Sequence, residues 1–284
     1  MSLATPRACV IGWPVAHSRS PLIHSFWLRR LGIAGVYDRA AVPPGEFAAF
    51  ASGIGRDGLV GANVTVPHKE AAFAACDRLT ANAGDLGAVN TLWREDGALC
   101  GDNSDVAGFL ASLDEQAPQW RGAQSAVVLG AGGAARAVIQ ALISAGTERI
   151  VVVNRTFERA ENLASRFARG TGAASWDALP SLLTAADLLV NATSLGMSGQ
   201  PALEIDLDGL KPRAIVADIV YVPLETPLLA AARRRGLRAV DGLGMLLHQA
   251  APGFERWFGV RPAVTPELRM MIEADIARPD GEKA

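Results

Sequence analysis

The stretch Ala126-Val127-Val128-Leu129-Gly130-Ala131-Gly132-Gly133-Ala134-Ala135-Arg136 decides the fold. Its first residues form a short apolar run typical of a buried strand, the glycines interrupt that run, and a helical pattern follows as far as Ala145. A second β-branched run, Arg149-Ile150-Val151-Val152-Val153, comes next. Strand, glycine turn, helix and strand in this order predict the opening βαβ unit of a dinucleotide-binding domain.

Each small residue of this loop has a position that the interpretation requires. Gly130 permits a tight turn, and Gly132 lets the backbone come close to a pyrophosphate. Ala135 takes the third small position, where the helix packs against the sheet. The helix N-terminus then directs its N–H groups toward the phosphates. Glycine also ends strands for structural reasons alone, but the strand before this loop and the helix after it favour cofactor binding.

The tip of the second strand indicates which dinucleotide binds. An NAD site normally carries Asp or Glu about 20 residues past the glycines, where the carboxylate accepts from the ribose 2′-OH. This chain instead has Asn154, Arg155 and Thr156, with Arg159 one helical turn further on. Two guanidinium groups without a carboxylate favour the 2′-phosphate of NADP. The alternative is a solvated basic turn in which Thr156 caps the next helix.

Length and composition limit the class of protein. A chain of 284 residues is long enough for two domains, and 50% hydrophobic with 20% charged residues indicates a folded protein. A net charge of −2 predicts neither nucleic-acid nor membrane binding. Three widely spaced cysteines and four histidines without ligand spacing predict no disulfide framework and no metal site. No signal-peptide pattern and no long apolar run is present, so a cytoplasmic location is expected.

The residues before this βαβ unit alternate between strand and helix patterns. We predict strands at 8–12, 36–42 and 61–66, helices at 20–31, 47–52 and 69–78, and a hairpin joining 89–93 to 99–101. A helix at 104–111 leads out of this first region. Beyond the βαβ unit we predict helices at 159 to about 168, at 177–184 and at 225–235, and strands at 187–191, 214–219 and 237–240. A helical tail starts at Gly242.

These patterns predict an α/β protein of two domains. The first α/β domain covers residues 1–106, and a Rossmann-type doubly wound domain covers 107–240. The C-terminal helices at 241–284 lie beyond the last Rossmann strand, from where a return to the first domain is open to them. The segment Pro118-Gln119-Trp120-Arg121-Gly122 marks the crossing between the domains.

Polar clusters of the first domain follow predicted strands. Ser18 and Ser20 precede a proline-led helix, where they either cap that helix or bind a small polar ligand. Side chains alternate between the two faces of a strand. This alternation places Asn63 and Thr65 on one face and turns Val64 and Val66 toward the core.

A lysine and two aspartates are candidates for proton transfer. Lys69 opens a helix, which is an unfavourable place for a cation, so its position indicates a role in proton transfer; the alternative is an ordinary exposed lysine. Asn90 adds an amide, and Asp102 or Asp105 either caps the helix near Ser104 or forms a proton-passing dyad with a catalytic lysine.

In their order along the chain these motifs resemble those of the shikimate dehydrogenase family, from about Ile11 to Gln249. The motifs that carry the resemblance are Gly12-Trp13-Pro14-Val15-Ala16-His17-Ser18-Arg19-Ser20-Pro21, Asn63-Val64-Thr65-Val66-Pro67-His68-Lys69, Gly87-Ala88-Val89-Asn90-Thr91, Gly101-Asp102-Asn103-Ser104-Asp105, the glycine loop, Asn154-Arg155-Thr156 with Arg159, Asn191-Ala192-Thr193-Ser194-Leu195-Gly196-Met197, Asp218-Ile219-Val220-Tyr221, and Gly242-Leu243-Gly244-Met245 with Gln249.

The resemblance implies reversible NADPH-dependent reduction of 3-dehydroshikimate to shikimate, a step of chorismate and aromatic amino acid biosynthesis, with Lys69 and Asp105 as the catalytic pair. It implies a substrate pocket lined by Ser18, Ser20, Asn63, Thr65, Lys69, Asn90, Asp105, Tyr221 and Gln249. It implies an NADP site formed by Gly130, Ala131, Gly132, Gly133, Ala134, Asn154, Arg155, Thr156, Arg159, Thr193, Ile219, Gly242 and Met245. A small-molecule substrate is the expected partner, and the chain is expected to be a monomer or a homodimer.

Several residues depart from the family's usual pattern. Ser104 and Val106 stand where Thr and Gly are usual around Asp105, His68 replaces an aromatic residue, and Ser25 stands where Asn is common. Ser20 rather than Thr favours shikimate over quinate. Two alternatives stay open: an NAD-linked quinate/shikimate dehydrogenase, which the arginines of the strand tip disfavour, and a non-catalytic NADPH sensor, which would not need the Lys69–Asp105 pair.

Overall fold

The structure is a computed structural model that describes residues 5–167 and 170–278. These residues form two compact units. The first unit contains the described residues up to Ser104 together with those from Leu247 onward, and the second unit is Asp105–Leu246. The predicted segments that reach residues 1–4 and 279–284, and the predicted helix end near residue 168, lie outside the described residues.

The first unit is built on one mixed sheet of six strands. Its strands are β1 (Arg7–Gly12), β2 (Val36–Ala41), β3 (Leu59–Val64), β4 (Arg78–Leu79), β5 (Thr91–Glu95) and β6 (Ala98–Asp102). Its N-terminal helices are α1 (Ser20–Arg30), α2 (Phe47–Gly53), α3 (Lys69–Ala75) and α4 (Ala81–Leu86). The strand order is β2-β1-β3-β5-β6-β4, in which β1 pairs in parallel with β2 and β3, whereas β5 is antiparallel to both of its neighbours.

The predicted hairpin follows from its turn residues. Glu95 pairs with Ala98, so the loop between β5 and β6 is the dipeptide Asp96-Gly97. Asp96 has φ +51° and Gly97 has φ +80°. Positive φ at both central residues is the geometry that matches the twist of a two-residue hairpin, and Asp-Gly is a preferred sequence for it. The hairpin prediction is confirmed.

The second unit is a doubly wound parallel sheet. Its strands are β7 (Ser125–Leu129), β8 (Arg149–Val153), β9 (Thr171–Ala174), β10 (Leu188–Asn191), β11 (Ile215–Asp218) and β12 (Arg238–Val240), and its helices are α5 (Asp105–Gln116), α6 (Gly133–Ser144), α7 (Phe157–Ala164), α8 (Leu179–Leu183) and α9 (Pro227–Arg234). The order β12-β11-β10-β7-β8-β9 is that of the Rossmann fold. The α/β class and the Rossmann-type unit are confirmed, and the order reverses between β7 and β10, where such folds bind dinucleotides.

Two helices follow the last strand: α10 (Leu243–Phe258) and α11 (Pro266–Ala277). Most of α10 and all of α11 belong to the first unit. Two indole N–H groups connect this part of the chain to the N-terminal elements. Trp27 of α1 donates to the carbonyl oxygen of Ala263 at 2.9 Å, and Trp257 of α10 donates to that of Leu92 at 2.9 Å. Both bonds satisfy buried polar groups inside the first unit.

Two predictions near β3 are wrong. The alternation predicts that Val66 faces the core, but this side chain is 70% exposed. The strand ends at Val64, and the N–H of His68 bonds to the carbonyl oxygen of Thr65 at 2.9 Å, so a turn replaces the alternation. The helix predicted to reach Arg78 ends at Ala75, since the chain enters β4 to pair with β6.

Other differences concern short or weakly patterned elements. The strand β9 was not predicted because its sequence, Thr-Gly-Ala-Ala, lacks the β-branched run that marks a strand. The helix α4 and the strand β4 were also missed, and α5 continues to Gln116 rather than Ala111. The expected crossing segment, Pro118–Gly122, is a 3₁₀ helix inside the second unit.

A metal site, a disulfide or a membrane span each needs particular side-chain groups or helices. No described helix combines the length and apolarity needed to cross a bilayer. In residues 5–167 and 170–278, no three His, Cys, Asp or Glu side chains are grouped as metal ligands. The three cysteines are free, and burial raises the pKa of Cys9 and Cys76 to about 12, which makes both poor nucleophiles.

Candidate active site

The first two predicted substrate residues lie in the loop between β1 and α1. The Ser18 Oγ atom accepts the backbone N–H of Ser20 at 3.3 Å and lies 3.3 Å from the Ser20 Oγ. Arg39 donates two bonds to the Ser18 carbonyl oxygen, at 3.0 and 2.8 Å. Arg19, at the N-cap position, makes no capping bond and pairs with Asp275 of α11 at 2.9 Å. The Ser18 and Ser20 hydroxyls therefore lie in a loop that is held by hydrogen bonds and an ion pair. The Ser18 hydroxyl oxygen also accepts the first N–H of α1.

The carboxyl end of β3 brings together three more predicted residues. Asn63 is buried, and its Oδ1 accepts the phenol hydroxyl of Tyr37 at 2.6 Å. Thr65 follows the strand directly. Lys69 is half-buried and opens α3, as the sequence predicted, and its carbonyl oxygen accepts the N–H of Val89 at 2.9 Å. One strand, one turn and one helix start thus position an amide, a hydroxyl and an ammonium group.

Asn90 is the centre of a polar network in the first unit. Its Oδ1 accepts the Ser104 N–H at 3.0 Å and the Thr91 hydroxyl at 2.9 Å, and its carbonyl oxygen accepts the Asn63 amide at 3.3 Å. The Ser104 hydroxyl lies 3.1 Å from the same Oδ1 and 2.8 Å from the Gln249 carbonyl oxygen. Ser104 therefore connects two predicted substrate residues, Asn90 and Gln249, although the sequence had indicated it only as a departure from a family pattern.

The glycine loop of the second unit has the features that a bound pyrophosphate needs. Gly130 has φ +103°, and a Cβ there would lie 2.9 Å from the carbonyl oxygen of Ala192. Gly132 is the N-cap of α6, and no heavy atom lies within 4 Å of its Cβ position. Ala135 is fully buried, as the third small position requires. The residues present therefore fit a dinucleotide phosphate at the start of α6, where backbone N–H groups are available. The predicted loop residues are Gly130, Ala131, Gly132, Gly133 and Ala134.

The tip of β8 presents two exposed cations. Arg155 and Arg159 are both exposed, and the Asn154 amide donates to the carbonyl oxygen of Thr156 at 2.9 Å. Thr156 occupies the N-cap position of α7, but its side chain makes no capping bond. The structure thus gives no support to the alternative in which this segment serves only to cap the helix. An exposed pair of guanidiniums suits a phosphate group.

Two further loops carry predicted cofactor residues. The N–H and hydroxyl of Thr193 donate to Asn191 Oδ1 at 3.0 and 2.7 Å, and the Ile219 N–H donates to the Asn191 carbonyl oxygen at 3.0 Å. Asn191 also donates to Asp218 at 2.9 Å. Burial raises the pKa of the Asp218 carboxyl above its ordinary value. Hydrogen bonds from Thr226, the Val220 N–H and Asn191 act in the opposite direction and lower it. Sequence reasoning assigned no role to Asn191 or Asp218.

The remaining predicted residues of the second unit are Tyr221, Gly242, Met245 and Asp105. A Cβ at Gly242 would meet the carbonyl oxygen of Ile219 at 2.2 Å, so only glycine fits there. Tyr221 and Met245 are half-buried. Asp105 is the first residue of α5 and is 8% exposed. Val106, which stands where the family usually has glycine, is buried, so its larger side chain packs inside the protein.

The predicted catalytic pair is divided between the two units. Lys69 belongs to the first unit and Asp105 to the second. The serines, Asn63, Thr65, Asn90 and Gln249 belong with the lysine, whereas Tyr221 and all the predicted cofactor residues belong with the aspartate. These roles stay predictions.

Three family models match the chain. They are the shikimate dehydrogenase substrate binding domain over residues 10–92, shikimate/quinate 5-dehydrogenase over 113–202, and the shikimate 5'-dehydrogenase C-terminal domain over 242–266. The shikimate dehydrogenase (NADP(+)) of Methylocella silvestris is 57% identical over 279 residues, which cover 98% of this chain and 99% of that protein. The chain belongs to the shikimate dehydrogenase family. The resemblance predicted from the ordered motifs is confirmed.

Solved structures of this family differ in their ligands. Shikimate 5-dehydrogenase from Thermus thermophilus, in complex with NADP(H) and shikimate, has a TM-score of 0.85 and 37% identity, covering 96% of this chain and 100% of that chain. Quinate dehydrogenase from Corynebacterium glutamicum, in complex with NAD, has a TM-score of 0.87 and 31% identity, covering 95% and 99%. Because the fold matches both equally well, local chemistry has to distinguish the cofactor and the substrate.

Proposed function

We propose that this protein catalyses the reversible NADPH-dependent reduction of 3-dehydroshikimate to shikimate, in the pathway to chorismate and the aromatic amino acids. The observation that carries the proposal is the 57% identity to a shikimate dehydrogenase (NADP(+)) across 98% of the chain. The exposed Arg155 and Arg159 support the choice of NADP over NAD. A cytoplasmic enzyme that acts as a monomer or homodimer is part of the proposal.

The proposed substrate pocket suits a polyhydroxylated acid. Shikimate carries a carboxylate and three hydroxyls, which need several donors and acceptors at defined positions. In the first unit, the network through Asn63, Asn90 and Ser104 holds such groups in place. The proposed substrate-binding residues are Ser18, Ser20, Asn63, Thr65, Lys69, Asn90, Asp105, Tyr221 and Gln249.

The proposed cofactor site uses the second unit alone. The loop after β7 would hold the pyrophosphate, the arginines after β8 the 2′-phosphate, and Thr193, Ile219, Gly242 and Met245 the nicotinamide half. When bound, NADPH supplies the hydride that reduces the ketone carbon.

Lys69 and Asp105 are proposed to manage the proton. As the ketone carbon gains a hydride, its oxygen gains a proton from the Lys69 ammonium, so that ketone, hydride and proton together give the alcohol. In the oxidation direction the neutral Lys69 amine takes that proton back. Asp105 would bind both the Lys69 ammonium and the reacting hydroxyl and so hold them in the orientation that proton transfer needs.

Replacing each member of the pair tests the proposal. We expect Lys69→Ala and Asp105→Asn to lower kcat by about 10²–10⁴-fold, the range typical of positioned proton transfer, while NADPH binding by fluorescence titration is retained. Lys211→Ala and Asp177→Asn, at exposed positions of the second unit, are the matched controls and should keep full turnover. Unchanged turnover in both pair variants would contradict the assigned dyad. NADPH binding without turnover by the wild-type protein would favour a sensor.

A further inference from the structure

Tyr37 contacts one of the proposed substrate residues although nothing in its sequence context indicates a functional role. It lies on β2 and is 3% exposed. Its hydroxyl donates to Asn63 Oδ1 at 2.6 Å. A phenol on β2 therefore holds an amide on β3, which is not a neighbouring strand.

The phenol reaches Asn63 by crossing a strand. β1 lies between β2 and β3, and Ala8 is the β1 residue that pairs with both Tyr37 and Gly61. Ala8 is a small residue, so little side chain stands on β1 between Tyr37 and β3. At Gly61 the place that a Cβ would take is filled by the Trp257 indole, which packs against the same sheet.

A buried aromatic cluster holds the ring in place. The His24 imidazole stacks on the Tyr37 ring with centroids 3.9 Å apart and planes 3° from parallel. Trp257 is tilted against both rings, at 5.9 Å from Tyr37 and 5.6 Å from His24. His24 is fully buried, and rotation of the phenol away from Asn63 would require the cluster to repack.

The same contact defines which way the Asn63 amide faces. With Oδ1 accepting from the phenol, the amide nitrogen faces the Asn90 carbonyl oxygen at 3.3 Å and the Thr91 hydroxyl oxygen at 3.5 Å. In the flipped amide, Oδ1 would face the carbonyl oxygen of Asn90, and two acceptors would then oppose each other. The donor and acceptor that Asn63 can offer to a ligand thus have defined positions.

We propose that Tyr37 is a positioning residue for substrate recognition, whose hydroxyl fixes the Asn63 amide so that it matches a hydroxyl group of the substrate. The proposal rests on the proposed function. It does not require Tyr37 to touch the substrate. Burial raises the pKa of the Tyr37 phenol well above its ordinary value, so the hydroxyl remains a donor throughout the working pH range.

Tyr37→Phe tests the proposal because it removes the hydroxyl and retains the ring. We expect the KM for shikimate to rise about 10–100-fold with kcat within about threefold, and the KM for NADP to stay unchanged, since one hydrogen bond between protein groups controls ground-state binding of the substrate alone. Trp120→Phe is the control. It removes one hydrogen bond of a buried aromatic side chain, from the Trp120 indole to Asp114 in the second unit, so it should lower Tm without changing the KM for shikimate.

Substrate analogues separate positioning from a merely structural role. The 4-deoxy and 5-deoxy analogues of shikimate each lack one hydroxyl. For the analogue that lacks the hydroxyl bound by Asn63, Tyr37→Phe should change kcat/KM by less than about threefold. The ratio of kcat/KM for shikimate to that for the analogue is independent of the folded fraction, so it remains valid even where the variant is unstable.

Each result decides between distinct conclusions. An unchanged KM for shikimate in Tyr37→Phe, or an equal loss for shikimate and both analogues, would overturn the positioning role and leave the proposed function intact. A wild-type protein without any turnover of shikimate would overturn the proposed function, and the positioning role with it.

Discussion

The amide of Asn191 donates to the carboxylate of Asp218 at 2.9 Å, at the carboxyl ends of the adjacent strands β10 and β11. Each partner also supports its own loop. The Asn191 Oδ1 holds the N–H and hydroxyl of Thr193, and the Asp218 carboxylate holds the Val220 N–H at 3.0 Å and the Thr226 hydroxyl at 2.7 Å. The pair therefore ties together two loops that carry proposed cofactor residues.

Asp218→Asn should weaken both the fold and cofactor binding. The buried Asp218 carboxylate accepts three hydrogen bonds, from Asn191, the Val220 N–H and Thr226. An asparagine amide has only one acceptor oxygen, so at least one of these donors loses its partner. We expect the free energy of unfolding to fall by about 1–3 kcal/mol and the KM for NADP to rise. Urea titration and initial rates measure the two effects. Asp208→Asn, at an exposed carboxylate in the same unit, is the control, and equal stability of both variants would contradict the account.

Two glycines of the same loop should respond differently to alanine. Gly130→Ala places a Cβ at φ +103° and 2.9 Å from a carbonyl oxygen, so it should cost at least about 1–2 kcal/mol of stability. Gly132→Ala meets no atom within 4 Å, so its stability should change by less than about 0.5 kcal/mol. The KM for NADP should nevertheless rise for Gly132→Ala, since the new methyl occupies the space needed by the pyrophosphate. Equal stability losses for the two variants would be inconsistent with this loop geometry.

The arginines at the tip of β8 should distinguish the two cofactors. Each charge-assisted bond to a 2′-phosphate corresponds to about 1.5–3 kcal/mol, so Arg155→Ala or Arg159→Ala should raise the KM for NADP about 10–100-fold. The KM for NAD, which lacks that phosphate, should change by less than about threefold. Arg149→Ala, at the opposite end of the same strand, is the matched control. A parallel rise of both KM values would exclude a role specific to the phosphate.

His24 should make the protein sensitive to mild acid. Burial lowers its pKa from 6.5 to about 3, and neither ring nitrogen has a hydrogen-bond partner among the described residues that could offset this effect. The unfolded chain binds a proton below about pH 6.5 and the folded chain does not, so stability is complete above that pH and is lost progressively as the pH falls toward 3. The loss due to His24 should reach about 2 kcal/mol at pH 5.

Urea titrations across this pH range measure the effect as a difference between variants. The stability of the wild-type protein minus that of His24→Asn should decrease as the pH falls. A flat difference for His24→Asn would show that burial does not suppress its protonation.

Local signals made the arrangement of the proposed cofactor residues predictable. The glycine loop, the β-branched run of β8 and the arginines lie within one continuous βαβ segment, so composition and spacing specify their arrangement. The same holds for the Asp96-Gly97 hairpin and for Lys69 at the start of α3. Where the chain departs from the expected pattern, as at Val66, a turn takes over from the strand within two residues, and alternation alone cannot indicate where it stops.

Contacts between distant segments were not predictable from the chain. The Ser104 hydroxyl meets the backbone of a residue 145 positions later, and the Tyr37 hydroxyl reaches across one strand to Asn63. Neither contact leaves a periodic or compositional signal, because each depends on tertiary packing. Asn191 and Asp218 were visible as motif residues, but their hydrogen bonds follow only from the pairing of β10 with β11.

The central claim concerns the reaction and its cofactor, and one absorbance measurement tests it most directly. Purified protein is mixed with shikimate or quinate, each with NADP or NAD, and the rate of reduced-cofactor formation is recorded. Rapid reduction of NADP by shikimate, with poor rates for NAD and for quinate, is the result that the account predicts. Equal or faster rates with NAD and quinate, or no turnover with any pair, would contradict it.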